Sequence, residues 1–237
     1  ATQAPILPPH PPRSPRKDPR MPDVVTIVLA AGQGTRLGGP KALLLTRDGL
    51  DTRPLIEVQC RERRAAESQR VLAVLRPDTA ALVGDRVRAA GGEVVISVAP
   101  DALGPAGSLA AAAAHLGADP TRAVIVTPVD IRAAPTTPPA LLAALEAPAS
   151  AAPLPFAVVP RFAGRKGHPV AMLPEVLARY RVPEPPPLRD HLRSLGDHLH
   201  LLDVTDPHIL EDLDRPDQTD LLARFTRIPG PPRFFPA

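Results

Sequence analysis

The chain has 237 residues, of which 44% are hydrophobic and 22% charged, and its single cysteine, Cys60, excludes an internal disulfide and a cysteine-based zinc site. The formal net charge is +3, from 28 basic and 25 acidic residues, and this near balance argues against a dedicated nucleic-acid surface. No apolar run approaches the roughly 20 residues of a membrane span, so no membrane partner is expected. The single cysteine fits the reducing cytoplasm, and export is the alternative, because basic residues precede the apolar run 24–31 as in a secretory signal.

Proline is concentrated at both ends of the chain, which holds 34 prolines where an average composition of roughly 5% would give far fewer. Residues 1–22, ATQAPILPPHPPRSPRKDPRMP, show no hydrophobic period and predict a disordered or polyproline-like leader. Residues 227–237, RIPGPPRFFPA, predict a similar tail, although Phe234 and Phe235 could pack on the body of the protein. One domain is expected between these ends, over residues 23–226.

Within that domain, short apolar runs alternate with helical patterns. Strands are predicted over residues 24–30, 70–75, 93–98, 123–127 and 156–160. Helices are predicted over residues 54–67, 79–90, 108–116 and 138–146, with others near 174–180, 188–195 and 217–224. The strand runs are continuously apolar, as expected for strands covered on both faces, so the alternation predicts a three-layer α/β domain with a largely parallel sheet.

A glycine-rich segment, AAGQGTRLGGPK (30–41), follows the first predicted strand, where open α/β sheets bind ligands. Its four glycines, which allow positive φ and leave backbone N–H groups uncovered, are Gly32, Gly34, Gly38 and Gly39. Arg36 and Lys41 add two positive charges that suit phosphate oxygens. The segment therefore predicts a polyphosphate cradle, and the alternative is a glycine-rich surface turn with two solvated cations.

Two familiar phosphate loops do not fit this segment. A P-loop requires Gly-Lys followed by Ser or Thr, whereas Lys41 lies between Pro40 and Ala42. The dinucleotide motif G-x-G-x-x-G fits the letters from Gly32 to Gly38, but the following Gly-Pro pair interrupts the helix that should begin there.

The segment LAAGQGTRLGGPKALL (29–44) resembles the signature loop of nucleotidyltransferases with a GT-A type fold, which move a nucleoside monophosphate from an NTP onto a phosphorylated acceptor. The short spacing from Arg36 to Lys41 is similar to that of the molybdenum cofactor cytidylyltransferase branch. Relatives that act on sugar phosphates or methylerythritol phosphate usually have a longer insert before the Pro-Lys pair. The resemblance implies a three-layer α/β/α architecture with a mostly parallel, mixed sheet of the GT-A/Rossmann-like type.

Downstream segments resemble the same branch in the same order. The segment APDALGPAGSLAAAA (99–113) matches at Gly104, Gly107 and Ser108, and Ser108 could alternatively serve as a helix N-cap. By the resemblance, the residues that bind the nucleotide are Leu29, Ala30, Ala31, Gly32, Gly34, Arg36, Lys41, Gly104 and Ser108. Lys41 would hold triphosphate oxygens and Arg36 would stabilise the departing pyrophosphate, so both, with Asp130, are candidate catalytic residues.

Magnesium is the implied cofactor, because it binds hard oxygen ligands and commonly takes one or two carboxylates plus phosphate oxygens. Asp130, in VIVTPVDIRAAP (124–135), resembles the metal-binding Asp at the end of a strand. A second ligand is expected in EDLD, where Asp212 and Asp214 share one face if the segment is extended. Asp214 is slightly favoured, and turn or cap carboxylates are the alternative reading of both.

Two further residues are candidates for the acceptor side. His168, in GRKGHPVAM (164–172), matches a Gly-His-Pro stretch of the branch that lines the acceptor site, and a structural histidine is the alternative. Arg189, in LRDHL (188–192), would contact acceptor phosphate or pterin, or else be a solvated helix arginine.

The sequence departs from the family at two places. Arg132 stands where the family usually has a proline after its metal-binding Asp, which predicts a changed loop and an altered acceptor class. Residues 46–70 are poor in the apolar residues that usually seat the helix there, which predicts a weakly held flank of the site.

The resulting hypothesis is a magnesium-dependent transfer of CMP from CTP to a molybdopterin-type cofactor, with release of pyrophosphate. Its partners would be the nucleoside triphosphate, a small phosphorylated acceptor and, transiently, a molybdoenzyme. The alternatives are the same chemistry on a sugar-phosphate or isoprenoid-precursor acceptor, and a nucleotide-binding module without turnover.

Overall fold

The computed structural model describes residues 24–66, 70–118, 121–146, 153–228 and 230–236. The leader predicted over residues 1–22 lies outside these ranges. Among the helices described, none has both the length and the apolar character needed to cross a membrane.

The described residues form one large mixed sheet and a small hairpin. In chain order the strands are β1 (Val24–Leu29), β2 (Leu45–Asp48), β3 (Asp51–Pro54), β4 (Arg70–Leu75), β5 (Gly92–Ile96), β6 (Ala123–Pro128), β7 (Ala157–Phe162), β8 (Arg165–Lys166), β9 (Val170–Met172) and β10 (Leu199–Asp203). The large sheet has the order β10-β7-β9-β6-β1-β4-β5, with β8 paired to β7, while β2 and β3 form the hairpin. Strands β6, β1, β4 and β5 run parallel, and β9 is antiparallel to both of its neighbours.

Helices cover both faces of the large sheet. They are α1 (Leu55–Ala66), α2 (Pro77–Ala89), α3 (Pro105–Leu116), α4 (Thr137–Leu145), α5 (Pro174–Ala178), α6 (Leu188–Ser194) and α7 (Thr219–Thr226). One buried cluster joins Ile27 and Val126 of the sheet to Leu109 of α3 and Leu141 of α4. A second cluster, on the opposite face, joins Val28 to helices α1, α2 and α7. The predicted three-layer, mostly parallel architecture is therefore confirmed.

Helix α3 begins one turn earlier than the sequence pattern predicted. Its N-cap is Gly104, with φ of 50°, and Pro105 occupies the first helical position, where a missing N–H costs nothing. Ser108 consequently lies inside the helix, so its interpretation as an N-cap is wrong.

Helix α1 is well seated, and the predicted weak flank is also wrong. Leu55, Ile56 and Cys60 are fully buried in the second cluster. The buried polar side chain of Gln59 donates its Nε2 hydrogens to the carbonyl oxygens of Val129 and Ile131, at 3.0 and 3.1 Å. Polar contacts thus supply anchoring that the apolar residue count could not reveal.

Candidate active site

The glycine segment forms a tight turn at the carboxyl end of β1. The carbonyl oxygen of Gly34 accepts hydrogen bonds from the N–H groups of Leu37, Gly38 and Gly39, at 2.9, 3.1 and 3.1 Å. Gly34 has φ of +61°, and a Cβ atom there would lie only 1.9 Å from the carbonyl oxygen of Gly39. A side chain at Gly34 would therefore break the turn. Both the positive φ and the lack of space for a Cβ atom require glycine at this position.

This turn forms one wall of a cleft of about 530 Å³. The predicted site residues that line the cleft are Leu29, Ala30, Ala31, Gly32, Gly34, Lys41, Gly104, Ser108, Asp130, Asp212 and Asp214. The loops that contribute them follow the carboxyl ends of parallel strands β1, β5 and β6, together with the segment before α7. Arg36, His168 and Arg189 do not belong to this lining.

Lys41 lies at the centre of the candidate site. Its Nζ atom is 2.5 Å from Asp130 Oδ2, 2.8 Å from Asp214 Oδ1 and 3.1 Å from Asp212 Oδ1. Burial lowers the pKa of Lys41, but the charge and hydrogen bond of Asp130, with those of Asp214 and Asp212, raise it above its ordinary value. Lys41 is therefore a permanent cation within a ring of three carboxylates.

Asp130 is the buried member of that ring. Burial raises its pKa to about 6, against the opposing effect of Lys41, and the nearby carboxylate of Asp212 adds to the rise. The carbonyl groups of Val129 and Ile131, the residues before and after Asp130, are held in place, since Gln59 Nε2 donates to both and Arg63 Nη2 lies 3.3 Å from that of Ile131. Sequence reasoning missed Gln59 and Arg63 as residues that position this carboxylate.

The segment carrying Asp212 and Asp214 is fixed by one glutamine. Gln218 Oε1 accepts hydrogen bonds from the N–H groups of Asp214 and Arg215, at 2.8 and 2.7 Å, and its Nε2 donates to the carbonyl of Asp212 at 3.1 Å. The hydrogen bond from Lys41 is the main cause of a lowered pKa at Asp214. Gln218 too was missed from the sequence.

Arg36 extends over the rim of the cleft. Its Nη1 atom is 3.5 Å from Asp214 Oδ2, and its side chain is 78% exposed. An exposed guanidinium at the rim can reach an anion that enters or leaves the cleft.

His168 and Arg189 have different surroundings. The backbone N–H of His168 donates to the carbonyl of Ile209 at 2.9 Å, which joins the His168–Pro169 turn, a cis peptide, to the segment before Asp212. Burial lowers the pKa of His168, and a hydrogen bond with the backbone of Val126 and the charge of Asp212 partly oppose that effect. Arg189 is 82% exposed and lies 3.5 Å from neighbouring Asp190, so the structure does not bring it to the cleft.

Arg132 points away from the cleft. Its Nη1 donates to the carbonyl of Phe225 at 3.0 Å, and its Nη2 pairs with Glu62. The side chain therefore joins α1 to the end of α7, and in place of the family's proline it serves as a structural tie.

The cleft also contains polar residues that sequence reasoning did not select. Asp101 Oδ1 lies 2.8 Å from Arg76 Nη1, and Asp101 Oδ2 accepts a hydrogen bond from Gln33 Nε2 at 2.5 Å. All three residues line the cleft. They meet from three separate segments of the chain, so no local pattern identified them.

The donor set at Lys41 suits a divalent cation that is shared with phosphate. Within the described ranges, no three Asp, Glu, His or Cys side chains form a metal site by themselves, and the three carboxylates instead surround the ammonium group. Their three negative charges exceed the two positive charges of Lys41 and Arg36. Carboxylate oxygens are hard ligands of the kind magnesium prefers, so the residues present fit that metal when phosphate oxygens complete its shell.

Comparison with known proteins places this geometry in a family. Residues 26–198 match the family model described as the MobA-like NTP transferase domain. No match was found among curated proteins.

Three solved structures share the fold. Rv0371c from Mycobacterium tuberculosis H37Rv is 24% identical, with a TM-score of 0.62 over 88% of this chain and 99% of that chain. A complex of Rv0371c with manganese is 22% identical, with a TM-score of 0.57 over 88% and 100%. The 4-diphosphocytidyl-2C-methyl-D-erythritol synthase from Anaerococcus prevotii DSM 20548 is 11% identical, with a TM-score of 0.64 over 87% and 96%.

Proposed function

Because the chain belongs to the MobA-like NTP transferase family, we propose that it transfers CMP from CTP to a molybdopterin-type acceptor and releases pyrophosphate. In this reaction an oxygen of the acceptor phosphate attacks the α-phosphorus of the NTP. The bond from that phosphorus to the bridging oxygen breaks, and the electron pair leaves with pyrophosphate.

The observation that carries the proposal is the convergence of Asp130, Asp212 and Asp214 on Lys41 at the wall of the cleft. A module that only binds nucleotide needs positive charge and backbone N–H groups, but it has no use for three carboxylates beside a polyanion. Carboxylates of this kind become favourable where a divalent cation accompanies the triphosphate. The site therefore supports a metal–triphosphate complex, and the family match supports turnover of that complex over simple binding.

The chain's own residues would act by position and charge. Lys41, which lines the cleft, would hold triphosphate oxygens. Exposed Arg36 would neutralise charge on the departing pyrophosphate. Magnesium, held by Asp130 and Asp214, would supply further neutralisation of phosphate charge. The manganese complex of Rv0371c supports a divalent cation on this fold.

The choice of nucleotide and acceptor depends on two local features. The short Arg36–Lys41 spacing supports CTP. The acceptor-side role of His168 rests on the Gly-His-Pro resemblance, and its main-chain bond to Ile209 ties it to the segment that leads to Asp212. Arg189 lies outside the cleft, so its proposed acceptor contact would require an acceptor, or a receiving molybdoenzyme, that extends over the surface.

The test is a matrix of purified protein, four NTPs, Mg²⁺ and three acceptors: molybdopterin cofactor, methylerythritol phosphate and a sugar 1-phosphate. We expect pyrophosphate release with CTP and molybdopterin cofactor only. Release with another acceptor would reassign the substrate. Tight NTP binding without release from any combination would contradict the enzyme and leave a binding module.

A matched pair of lysine variants controls the assay. Lys41→Ala should abolish release, because it removes the cation at the centre of the site. Lys166→Ala removes an equal charge from an exposed position on β8, outside the cleft, and should retain wild-type activity.

A further inference from the structure

A phenylalanine near the end of the chain packs against the double glycine of the signature loop. A Cβ atom built on Gly39 would lie 3.2 Å from both Cδ1 and Cε1 of Phe234, and one built on Gly38 would lie 3.9 Å from Cε2 of the same ring. The ring is half-buried in this position. The bare backbone between Arg36 and Lys41 therefore lies directly against an aromatic side chain from about 195 residues later in the chain.

Backbone pairing fixes Phe234 relative to the loop. The N–H group of Leu45 donates to the carbonyl of Arg233, and the N–H group of Phe235 donates to the carbonyl of Leu43, both at 2.7 Å. Between these bonds, Leu44 and Phe234 form an antiparallel bridge. The pairing begins immediately after the 3-10 turn Lys41–Leu43, so it supports the turn that contains Lys41.

A second contact anchors the same segment to the helical layer. The guanidinium carbon of Arg86 lies 4.8 Å from the ring centroid of Phe235. Arg86 is itself paired with Glu57 of α1, at 3.1 Å. Residues 233–235, here called the C-terminal strap, are thus connected to α2 and α1 as well as to the loop.

We propose that Phe234 is a positioning residue, which holds the Gly38–Lys41 backbone in the conformation that presents Lys41 to the triphosphate. Two adjacent glycines have more conformational freedom than any other pair of residues, and a ligand that orders them must offset that loss of entropy. A ring packed against them orders the backbone before the ligand arrives, which improves affinity without adding a contact to the ligand. This role rests on the proposed function, because it assumes that the loop binds a triphosphate.

The same contact explains why residue 39 is a glycine. Its φ lies outside the positive range, so its backbone conformation alone would accept alanine. The atoms that would crowd an added Cβ all belong to Phe234. The glycine at this position is therefore explained by the ring and not by the turn.

The first experiment compares Phe234→Ala with Arg233→Ala. For Phe234→Ala we expect the Kd and KM for CTP to rise about tenfold, with an unchanged KM for the acceptor, because ordering of the loop would then accompany binding. Arg233 contributes a main-chain carbonyl to the strap and has an exposed side chain, so Arg233→Ala should match the wild type. Phe234→Leu, which keeps an apolar contact, should lie between them.

A merely structural role would give a different result. If Phe234 only stabilised the fold, Phe234→Ala would lower the active fraction and hence kcat, and the KM for CTP would stay at its wild-type value. That outcome, or an unchanged Kd for CTP, would overturn the proposal. A wild-type protein that neither binds NTP nor releases pyrophosphate would instead contradict the proposed function.

Two further measurements test the contact between Phe234 and Gly39 if Phe234→Ala folds poorly, and the second of them also applies if the protein has another activity. Gly39→Ala should weaken CTP binding in the wild type but have little further effect together with Phe234→Leu, because leucine lacks the ring that would crowd the added Cβ atom. Amide hydrogen exchange at Gly38 and Gly39, whose N–H groups bond to Gly34, should accelerate in Phe234→Leu. Additive effects of the two substitutions, or unchanged exchange, would show that the ring does not hold the loop.

Discussion

The Nζ atom of Lys41 lies 2.5 Å from Oδ2 of Asp130, a residue 89 positions later in the chain. Lys41 ends the loop that follows β1, and Asp130 follows the neighbouring parallel strand β6. The ion pair therefore joins the two loops at which an open α/β sheet has its ligand edge.

Asp130→Asn should remove activity and keep the fold. We expect pyrophosphate release to fall by about a hundredfold or more, because the amide loses the charge that would hold Mg²⁺ beside the triphosphate. Burial raises the pKa of Asp130 from 3.8 to about 6, so the folded protein binds this proton more tightly than the unfolded chain does. Ionised Asp130 therefore makes the fold less stable as the pH rises through that interval.

Urea unfolding in EDTA at pH 7.5 measures the second half of this prediction. The free energy of unfolding of Asp130→Asn should lie close to that of the wild type, since the relief from burying a charge offsets the lost pairing with Lys41, which keeps Asp212 and Asp214 as partners. A variant that retains full turnover would show that Asp130 is not the catalytic carboxylate. Loss of stability together with loss of activity would assign it a structural role.

Substitutions of Asp212 and Asp214 should change the Mg²⁺ dependence of activity to different extents. The side chain of Asp214 is 39% exposed and contacts both Lys41 and Arg36, whereas that of Asp212 is 67% exposed. We expect Asp214→Asn to raise the Mg²⁺ concentration for half-maximal activity about tenfold, and Asp212→Asn to raise it about threefold. Titration of both variants with Mg²⁺ measures this, and the reverse order would assign the metal to Asp212.

Local sequence patterns predicted the strands and the glycine turn of the site. The strands appeared as apolar runs, and the turn at Gly34 requires glycine for reasons that neighbouring residues already set. The role of Gln59 could not be predicted in this way, because its amide donates a hydrogen bond to the carbonyl of Val129, 70 positions away. Its spacing on α1 is that of any polar helix residue, and only the packed structure shows what it holds.

Arg132 shows the same limitation in a different form. As a departure from the family pattern it predicted a changed acceptor, yet its side chain binds Phe225 and Glu62 on the side away from the cleft. The sequence shows that the residue differs from the family pattern. It does not show where a long side chain points, because that depends on partners that are distant in the sequence.

Arg132→Ala should therefore affect stability and leave acceptor recognition unchanged. It removes a hydrogen bond to a main-chain carbonyl and a partly buried ion pair, so we expect a loss of about 1–3 kcal/mol in the free energy of unfolding. Denaturant unfolding measures the loss, and Arg132→Lys should recover part of it. A change in the KM for the acceptor at unchanged stability would restore Arg132 to the acceptor site.

Cys60 should be almost inert to thiol reagents in the native protein. It is fully buried on α1, and burial, with a smaller effect of Glu57, raises the pKa of its thiol to about 12. An ordinary thiol of pKa near 8.5 is about one-quarter thiolate at pH 8, whereas a pKa near 12 leaves on the order of one part in ten thousand. Labelling with DTNB at pH 8 should be slow in buffer and rapid in denaturant, with one thiol reacting per chain.

The same labelling reports on the flank of the site, because Cys60 and Gln59 are adjacent on α1. Gln59→Leu removes the hydrogen bonds to the carbonyls beside Asp130 and should accelerate labelling of Cys60 by allowing α1 to open more often. Ala65→Ser, a substitution at an exposed position on the same helix, is the control and should change the rate less. Rapid native labelling of the wild type would show that α1 is loosely seated, as its low apolar content first indicated.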